Sequence, residues 1–225
     1  MDFEDQDAGG APRIVNPNPG SLATAPTGMT TNESAGATVK IESVATLLPS
    51  KADDEESATP APMNLWGENA AVLNDESPEK NAAIYFVGGP ENNAAYDGKV
   101  FIRFDWLNLS RTTGNVGFVN LINPQYAHVF GLCFVSNQTD LIIVGETEVN
   151  LPLALANKKP ARIDIVIDIA QWSYVLSLNG TKMAAGGLTT CESKSFWRIG
   201  FGTSSAGISR FAIDNVTISA YPIKK

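Results

Sequence analysis

A single histidine, two cysteines and a shortage of basic residues exclude several classes of function. Lysine and arginine number 16 against 24 acidic residues, which gives a net charge of −8. No segment combines basic with aromatic residues, so binding to nucleic acid or to an anionic membrane is disfavoured. The longest apolar runs, such as residues 82–89, are far shorter than the ~20 residues that cross a bilayer, and no transmembrane segment is expected.

Motifs of common enzymes are also missing. The sequence has neither a Gly-x-Ser-x-Gly elbow nor a Gly-Lys-Ser/Thr phosphate loop. Cys133 and Cys191 are too few for a disulfide framework and have no neighbouring histidine pair for zinc. One bridge in an oxidising compartment and two buried thiols are both compatible with the sequence.

What the sequence does contain is a succession of short β-type runs separated by turn residues. In residues 162–169, isoleucines alternate with charged residues, which predicts a strand with one buried face. Residues 98–109 alternate in the same way and place Trp106 on the core face. Asn179 and Gly180 separate two further runs and predict a type I′ hairpin. The other predicted strands are 116–122, 127–135, 141–144, 196–202 and 211–219.

About ten such strands without a helical period predict an all-β fold, a two-sheet antiparallel β-sandwich. The length suits a single domain over residues 1–225, because sandwiches of this size often form one unit. Residues 38–47 and 64–66 are candidate strands in the less regular first part. Residues 49–62 are acidic and Pro-rich, which predicts a mobile surface loop.

Five segments, taken in order, resemble the concanavalin A-like lectin/glucanase, or laminin-G-like, jelly-roll domains of bacterial extracellular proteins. The segments are Phe3-Glu4-Asp5 before Gly-Ala-Pro, Gly98–Asp105, Tyr174–Gly180, Arg198–Thr203 and Phe211–Val216. The resemblance implies that the first and last strands are neighbours, so that Phe3 lies beside Phe211 to Ile218. It implies no single activity, because this fold carries lectins, hydrolases, lyases and structural modules.

The resemblance also bears on localisation. The N-terminus has neither the basic start nor the apolar stretch of a signal peptide. Because Phe3 already resembles the first residue of a folded strand, we expect a secreted or cell-surface protein whose signal peptide has been removed. A cytosolic chain is the alternative.

Catalytic residues of related enzymes are only partly matched. Glucanases of this fold place two carboxylates in a Glu-x-Asp-x-x-Glu or Glu-x-Asp-x-Glu spacing, and neither spacing occurs. The nearest pairs, Glu146 with Glu148 and Glu76 with Glu79, lack the middle aspartate. Alginate lyases of this fold use a histidine and a tyrosine. The single histidine of this chain, His128, has a tyrosine two residues before it, Tyr126. The surrounding lyase motifs are absent.

We therefore expect a non-catalytic, carbohydrate-binding or adhesive module. Its partner would be a glycan or another component of the cell surface or matrix. Aromatic rings near turns are the best candidates for stacking on a sugar. The predicted ligand-binding residues are Trp66, Tyr126, His128 and Trp172. A polysaccharide-active enzyme and a purely structural component are the alternatives.

The resemblance further predicts a structural calcium ion (Ca2+) where the chain ends meet, held by Glu4 or Asp5 together with Asp214. Carboxylates that strand pairing brings together would repel each other unless a cation neutralises them. A polar pair of Asp214 and Asn215 at a β-bulge is the alternative.

A bound calcium ion should raise the melting temperature as its concentration increases, because it stabilises only the folded state. Thermal melting with EDTA and with added calcium measures this effect. Equal melting temperatures in both conditions would leave Asp214 a structural residue.

Overall fold

The computed structural model describes residues 8–9, 28–33, 36–47, 68–76, 81–87, 98–109, 114–136, 140–152, 160–192, 194–195, 198–203 and 208–221. These residues form fourteen strands and one helical turn. The turn, α1, spans Val44–Leu47. The strands are β1 (Gly28–Glu33), β2 (Ala37–Ser43), β3 (Asn69–Asp75), β4 (Ala82–Val87), β5 (Lys99–Asn108), β6 (Gly114–Ile122), β7 (His128–Ser136), β8 (Asp140–Val144), β9 (Glu148–Pro152), β10 (Ala161–Asp168), β11 (Ser173–Leu178), β12 (Thr181–Gly187), β13 (Arg198–Thr203) and β14 (Ser209–Tyr221).

The strands form two antiparallel sheets of seven strands each. Sheet A has the order β1-β4-β13-β6-β7-β8-β9, and sheet B has the order β12-β11-β10-β5-β14-β3-β2. Strands distant in the chain become neighbours, as β5 and β14 do, so the chain crosses repeatedly between the sheets. The predicted two-sheet β-sandwich of the jelly-roll class is confirmed.

Alternation along the strands explains where the core lies. In β10 every second residue is buried, and Ile163, Ile165 and Ile167 are fully inaccessible. These side chains belong to one large apolar cluster to which strands of both sheets contribute. The buried face of β10 was predicted from sequence, and the structure confirms it.

Aromatic rings join the two sheets at the centre of this core. The ring of Trp106 on β5 stacks on Phe134 of β7 at 3.8 Å between centroids, and on Phe211 of β14 at 4.1 Å. Phe201 of β13 meets Phe104 of β5 edge-on at 4.9 Å. Both geometries are favourable for aromatic pairs.

The hairpin between β11 and β12 has the predicted turn. Asn179 and Gly180 have φ values of 48° and 81°, the left-handed conformation that a type I′ turn requires at both central positions. The side chain of Asn179 also accepts a hydrogen bond from the Arg162 amide at 2.8 Å. This contact ties the hairpin to β10.

The structure corrects the first part of the chain. Residues 38–47 do not form one strand, because β2 ends at Ser43 and α1 follows. Val44 and Leu47 of α1 cover the outer side of sheet B and form a second, smaller apolar cluster with β3, β5 and β14. Within the described ranges, no helix is long and apolar enough to cross a membrane. Phe3, residues 49–62 and residues 64–66 lie outside the described residues, so the predictions for them stay predictions.

Replacing Ile165 with Asp should lower the free energy of unfolding by about 4 kcal/mol or more, because an unpaired charge would enter the core. Asp164→Asn is the matched control on the same strand. It removes only a surface ion pair with Arg103 and should cost less than about 1 kcal/mol. Urea denaturation of both variants measures the difference, and equal losses would contradict the assignment of the two faces.

Candidate functional site

The outer face of sheet A carries aromatic rings that lie across glycines of β13. Tyr85 of β4 is the cross-strand partner of Gly200, and Phe118 of β6 is the partner of Gly202. A Cβ at Gly200 would lie 2.6 Å from the Tyr85 ring, and one at Gly202 would lie 2.5 Å from the Phe118 ring. Because any larger residue would collide with these rings, the glycines determine where the rings rest.

A cation sits between two aromatic rings at one end of this face. The Cζ atom of Arg198 lies 4.7 Å from the centroid of Tyr85 and 4.9 Å from that of Tyr126. Both distances are within the range of a cation–π interaction. Arg198, Gly200 and Gly202 are alternate residues of β13 and lie on the same outer face. One strand therefore supplies the cation and the two glycines that the rings of Tyr85 and Phe118 contact.

Tyr126 is held by the turn that joins β6 to β7. The side chain of Asn123 accepts hydrogen bonds from the amides of Gln125 and Ala127 at 3.0 and 2.8 Å. The Tyr126 amide donates to the Asn123 carbonyl at 2.9 Å. These bonds hold Tyr126 at a φ of 64°, and its side chain is 63% exposed. Its exposure is therefore imposed by a well-bonded turn.

A groove of about 220 Å³ runs along β7 next to the Phe118 ring. Gly131 and Asn120 both line this groove. A Cβ at Gly131 would lie 3.2 Å from the side-chain oxygen of Asn120, so Asn120 lies beside the space that the glycine leaves open. The polar groups of the lining come from Asn120, His128 and Thr189, and Val144 adds an apolar wall. No carboxylate is among the described residues that line this groove.

Thr189 connects this groove to the segment that follows β12. Its amide donates to the Val129 carbonyl at 2.9 Å, and its hydroxyl donates to the Gly145 carbonyl at 3.0 Å. The hydroxyl oxygen can still accept a hydrogen bond from a ligand. Thr189 is thus a fixed polar group in the wall of the groove.

Cys133 lines the same groove but is not an activated nucleophile. Burial raises the pKa of its thiol, and the negative charge of Glu148 raises it further. A thiol with a raised pKa remains protonated at neutral pH, whereas the thiolate is the reactive form. Cys133 and Cys191 form no disulfide bond with each other in the structure.

The structure brings together two of the predicted ligand-binding residues and corrects a third. Tyr126 and His128 are exposed at the same end of the outer face of sheet A. Tyr126 lies in the turn before β7, and His128 is the first residue of β7. Trp172 is buried in the core, and its indole N–H donates to the Thr189 carbonyl at 2.9 Å. A buried ring offers no surface to a sugar. Trp66 lies outside the described residues.

Four further residues of this face were missed by sequence reasoning: Tyr85, Phe118, Asn120 and Arg198. Their contacts depend on cross-strand pairing, which the sequence does not display. One signal was nevertheless present. In β13, glycines at the outward positions 200 and 202 alternate with the core residues Ile199 and Phe201. Glycine in a strand often marks a place where another group approaches closely.

The residue of the predicted calcium site that the structure describes lies on sheet B. Asp214 is fully buried and faces Asp105 in the register of β14 and β5. The chain forms a bulge between Asp214 and Thr217, with Asn215 at a φ of 51°. The described residues contain no group of three or more side chains suited to a metal ion. Glu4 and Asp5 lie outside them, so calcium binding stays a prediction.

Asp105 is neutralised by protein groups. The Arg162 guanidinium donates two hydrogen bonds to the Asp105 carboxylate, at 2.9 and 3.0 Å. The side-chain amide of Asn215 donates a third at 2.8 Å. The hydrogen bond with Asp105 is the largest cause of a raised pKa of the Arg162 guanidinium. Asp214 accepts the backbone N–H of Asn215 at 2.7 Å. The bulge therefore joins both buried carboxylates through one asparagine, and the β-bulge expected at Asp214 and Asn215 is present.

Comparisons with known proteins identify the fold. No family profile matches the sequence, and no curated protein matches it. The carbohydrate esterase vb_24B_21 of the Shiga toxin-encoding bacteriophage phi24B is a similar structure. It is 13% identical, with a TM-score of 0.55 over 87% of this chain and 91% of the esterase. Alginate lyase AlgAT5 of polysaccharide lyase family 7 is 15% identical, with a TM-score of 0.51 over 68% of this chain and 79% of the lyase.

A sialidase is similar over only part of its length. It is 13% identical, with a TM-score of 0.57, and the match covers 68% of this chain but 16% of the sialidase. At such low identities these likenesses show the fold alone. The chain shares a jelly-roll sandwich with proteins that are named for their action on carbohydrates.

Removing the Arg162 guanidinium should lower the free energy of unfolding, because the buried carboxylate of Asp105 would lose its charged partner. Arg162→Met leaves Asp105 with the Asn215 hydrogen bond but without its charged partner, and should cost about 3 kcal/mol. Asp105→Asn combined with Arg162→Met should be less destabilised than Arg162→Met alone, because the buried charge is also gone. Lys99→Met is the matched control, since its ion pair with Asp168 is exposed and is worth less than about 1 kcal/mol. Urea denaturation of the three variants tests this, and equal losses for Arg162→Met and Lys99→Met would contradict it.

Proposed function

We propose that this chain is a non-catalytic carbohydrate-binding module of the concanavalin A-like kind, and that the glycan lies across the outer face of sheet A. The observation that carries the proposal is the pair of rings on glycines, Tyr85 over Gly200 and Phe118 over Gly202, beside a groove. Both rings are half-buried, so each retains an accessible part.

The chemistry of this face suits a sugar. The apolar side of a sugar ring packs on aromatic rings, and its hydroxyls need donors and acceptors close by. Asn120 supplies both a donor and an acceptor, His128 supplies ring nitrogens and Thr189 supplies a hydroxyl. All three lie at the groove next to Phe118. Because strands and a bonded turn hold these groups, little ordering is needed when a ligand binds.

The fold neighbours support a glycan as the partner. They include an esterase named for carbohydrates and an alginate lyase. If the ligand is an extracellular polysaccharide, the protein works outside the cell or on its surface, as a secreted or matrix-associated module. The predicted calcium ion would then be structural, because Asp214 lies on sheet B, away from the groove.

A polysaccharide lyase is the second candidate, and one observation favours it. Tyr126, His128 and Arg198 share one end of this face. In an elimination reaction a cation neutralises the uronate carboxylate, while a base removes the neighbouring proton and an acid protonates the leaving oxygen. Arg198 would take the first role, and His128 and Tyr126 the other two. A glycosidase is less favoured, since the described groove lining offers no carboxylate.

A glycan array followed by calorimetry with soluble oligosaccharides tests the binding proposal. Tyr85→Ala and Phe118→Ala should each weaken binding about tenfold or more, which corresponds to roughly 1.4 kcal/mol. Phe101→Ala is the matched control, since Phe101 is an exposed aromatic on the outer face of sheet B. Unchanged affinity in both ring variants would place the glycan elsewhere.

A product assay separates binding from catalysis. Each glycan that binds is incubated with the protein, and reducing ends and the ultraviolet absorbance of unsaturated products are followed. We expect neither signal. Unsaturated product that disappears in His128→Ala would establish the lyase instead.

A further inference from the structure

The outer face of sheet B carries an apolar row that crosses four strands. The cross-strand register aligns Phe101 of β5 with Val166 of β10, Val175 of β11 and Ala185 of β12, while Ser219 of β14 lies on the other side of Phe101. Phe101 is 38% exposed, and the two valines are half-buried. A shallow groove of about 480 Å³ lies over Phe101 and Val166.

Charged rows flank this apolar row on both sides. On one side Arg103 of β5 pairs with Asp164 of β10, and on the other Lys99 of β5 pairs with Asp168 of β10. Both cations therefore lie on β5 and both carboxylates lie on β10. Over these three rows the two strands form parallel lines of opposite charge, with an apolar residue at the middle of each, and in the next row the signs reverse, with Asp105 on β5 and Arg162 on β10.

Two copies of this surface, placed face to face, have complementary charges in one relative orientation. A two-fold axis that runs along the strands, between β5 and β10, places β5 of one copy over β10 of the other. Arg103 then faces Asp164 of the second copy, Lys99 faces Asp168, and Phe101 packs on Val166. An axis across the strands would place β5 over β5, and cations would face cations. The charges thus select the first orientation.

The size of the surface fits a weak dimer. With the axis between β5 and β10, four strands of each copy (β11, β10, β5 and β14) lie over the same four strands of the other. Four strands about 4.8 Å apart and three rows about 7 Å apart cover roughly 400 Å² on each copy. Two copies would bury about 800 Å² in total, which is less than a standard specific interface and fits a weak, concentration-dependent contact.

We infer that the protein self-associates through the outer face of sheet B, and that a second copy of this chain packs on the exposed part of the Phe101–Val166 row. The apolar row supplies the buried centre, and the charged rows set the orientation. The glycan face of sheet A takes no part, so this inference stands independently of the proposed function.

Sedimentation velocity at increasing protein concentration tests the surface. The unaltered protein should show a reversible monomer–dimer equilibrium, and Phe101→Asp should remain monomeric. Val144→Asp is the matched control, because Val144 is 45% exposed on the outer face of sheet A, and it should dimerise as before. A protein that stays monomeric at every concentration, or a dimer that survives Phe101→Asp, would overturn the inference.

A complementary pair of charge variants tests whether the charged rows drive the association. The acidic variant carries Lys99→Glu and Arg103→Glu, so both of its strands are negative. The basic variant carries Asp164→Lys and Asp168→Lys, so both are positive. Neither should dimerise alone, whereas an equimolar mixture should form a heterodimer.

Circular dichroism and melting first establish that both variants are folded; if one is not, the single changes Arg103→Glu and Asp164→Lys replace the double ones. Two folded variants that fail to combine, or that each dimerise alone, would contradict the charge pairing on which the proposed dimer depends.

Discussion

The stacking of Trp106 between Phe134 and Phe211 is the contact on which the rest of the structure depends. It joins sheet A to sheet B, and the apolar side chains around it fill the inward positions of nearly every strand. Along the strands, only the outward positions then remain for function. β13 shows the division, because Ile199 and Phe201 belong to the core while positions 198, 200 and 202 lie on the outer face. Among the strand residues, the core thus restricts recognition to two opposite surfaces.

The two outer surfaces differ in their side chains and in the contacts that hold those side chains. On sheet A, glycines opposite Tyr85 and Phe118 let large rings lie on the backbone, which leaves a relatively flat aromatic surface beside a polar groove. On sheet B, Asp105 and Asp214 face each other without solvent, so Arg162 and Asn215 are needed to satisfy them. Two ion pairs between β5 and β10 lie on the same outer face, one on each side of the Phe101 row. The outer surface of sheet A is therefore mainly aromatic and polar, and that of sheet B combines an apolar row with paired charges.

The sequence was sufficient wherever the signal was local. The alternation in β10 and the turn at Asn179 and Gly180 depend on neighbouring residues, and both predictions are confirmed. The candidate site was only partly predictable, because Tyr85 meets Gly200 across more than a hundred residues. The sequence predicts an exposed ring at Trp172, because this residue lies near a turn. Its positive φ and the bond from its indole to Thr189 place it in the core instead.

The proposed face and the inferred dimer have a joint geometric consequence. A two-fold axis within the outer surface of sheet B stacks four sheets, about 10 Å apart, with sheet A outermost in both copies. The two rows of aromatic rings then face in opposite directions, roughly 30 Å apart. A single flat glycan surface cannot reach both, so the gain in affinity from bivalent binding to one surface is lost. Such a dimer would instead bridge two separate glycan chains, which is a property of adhesive and matrix proteins more than of an enzyme.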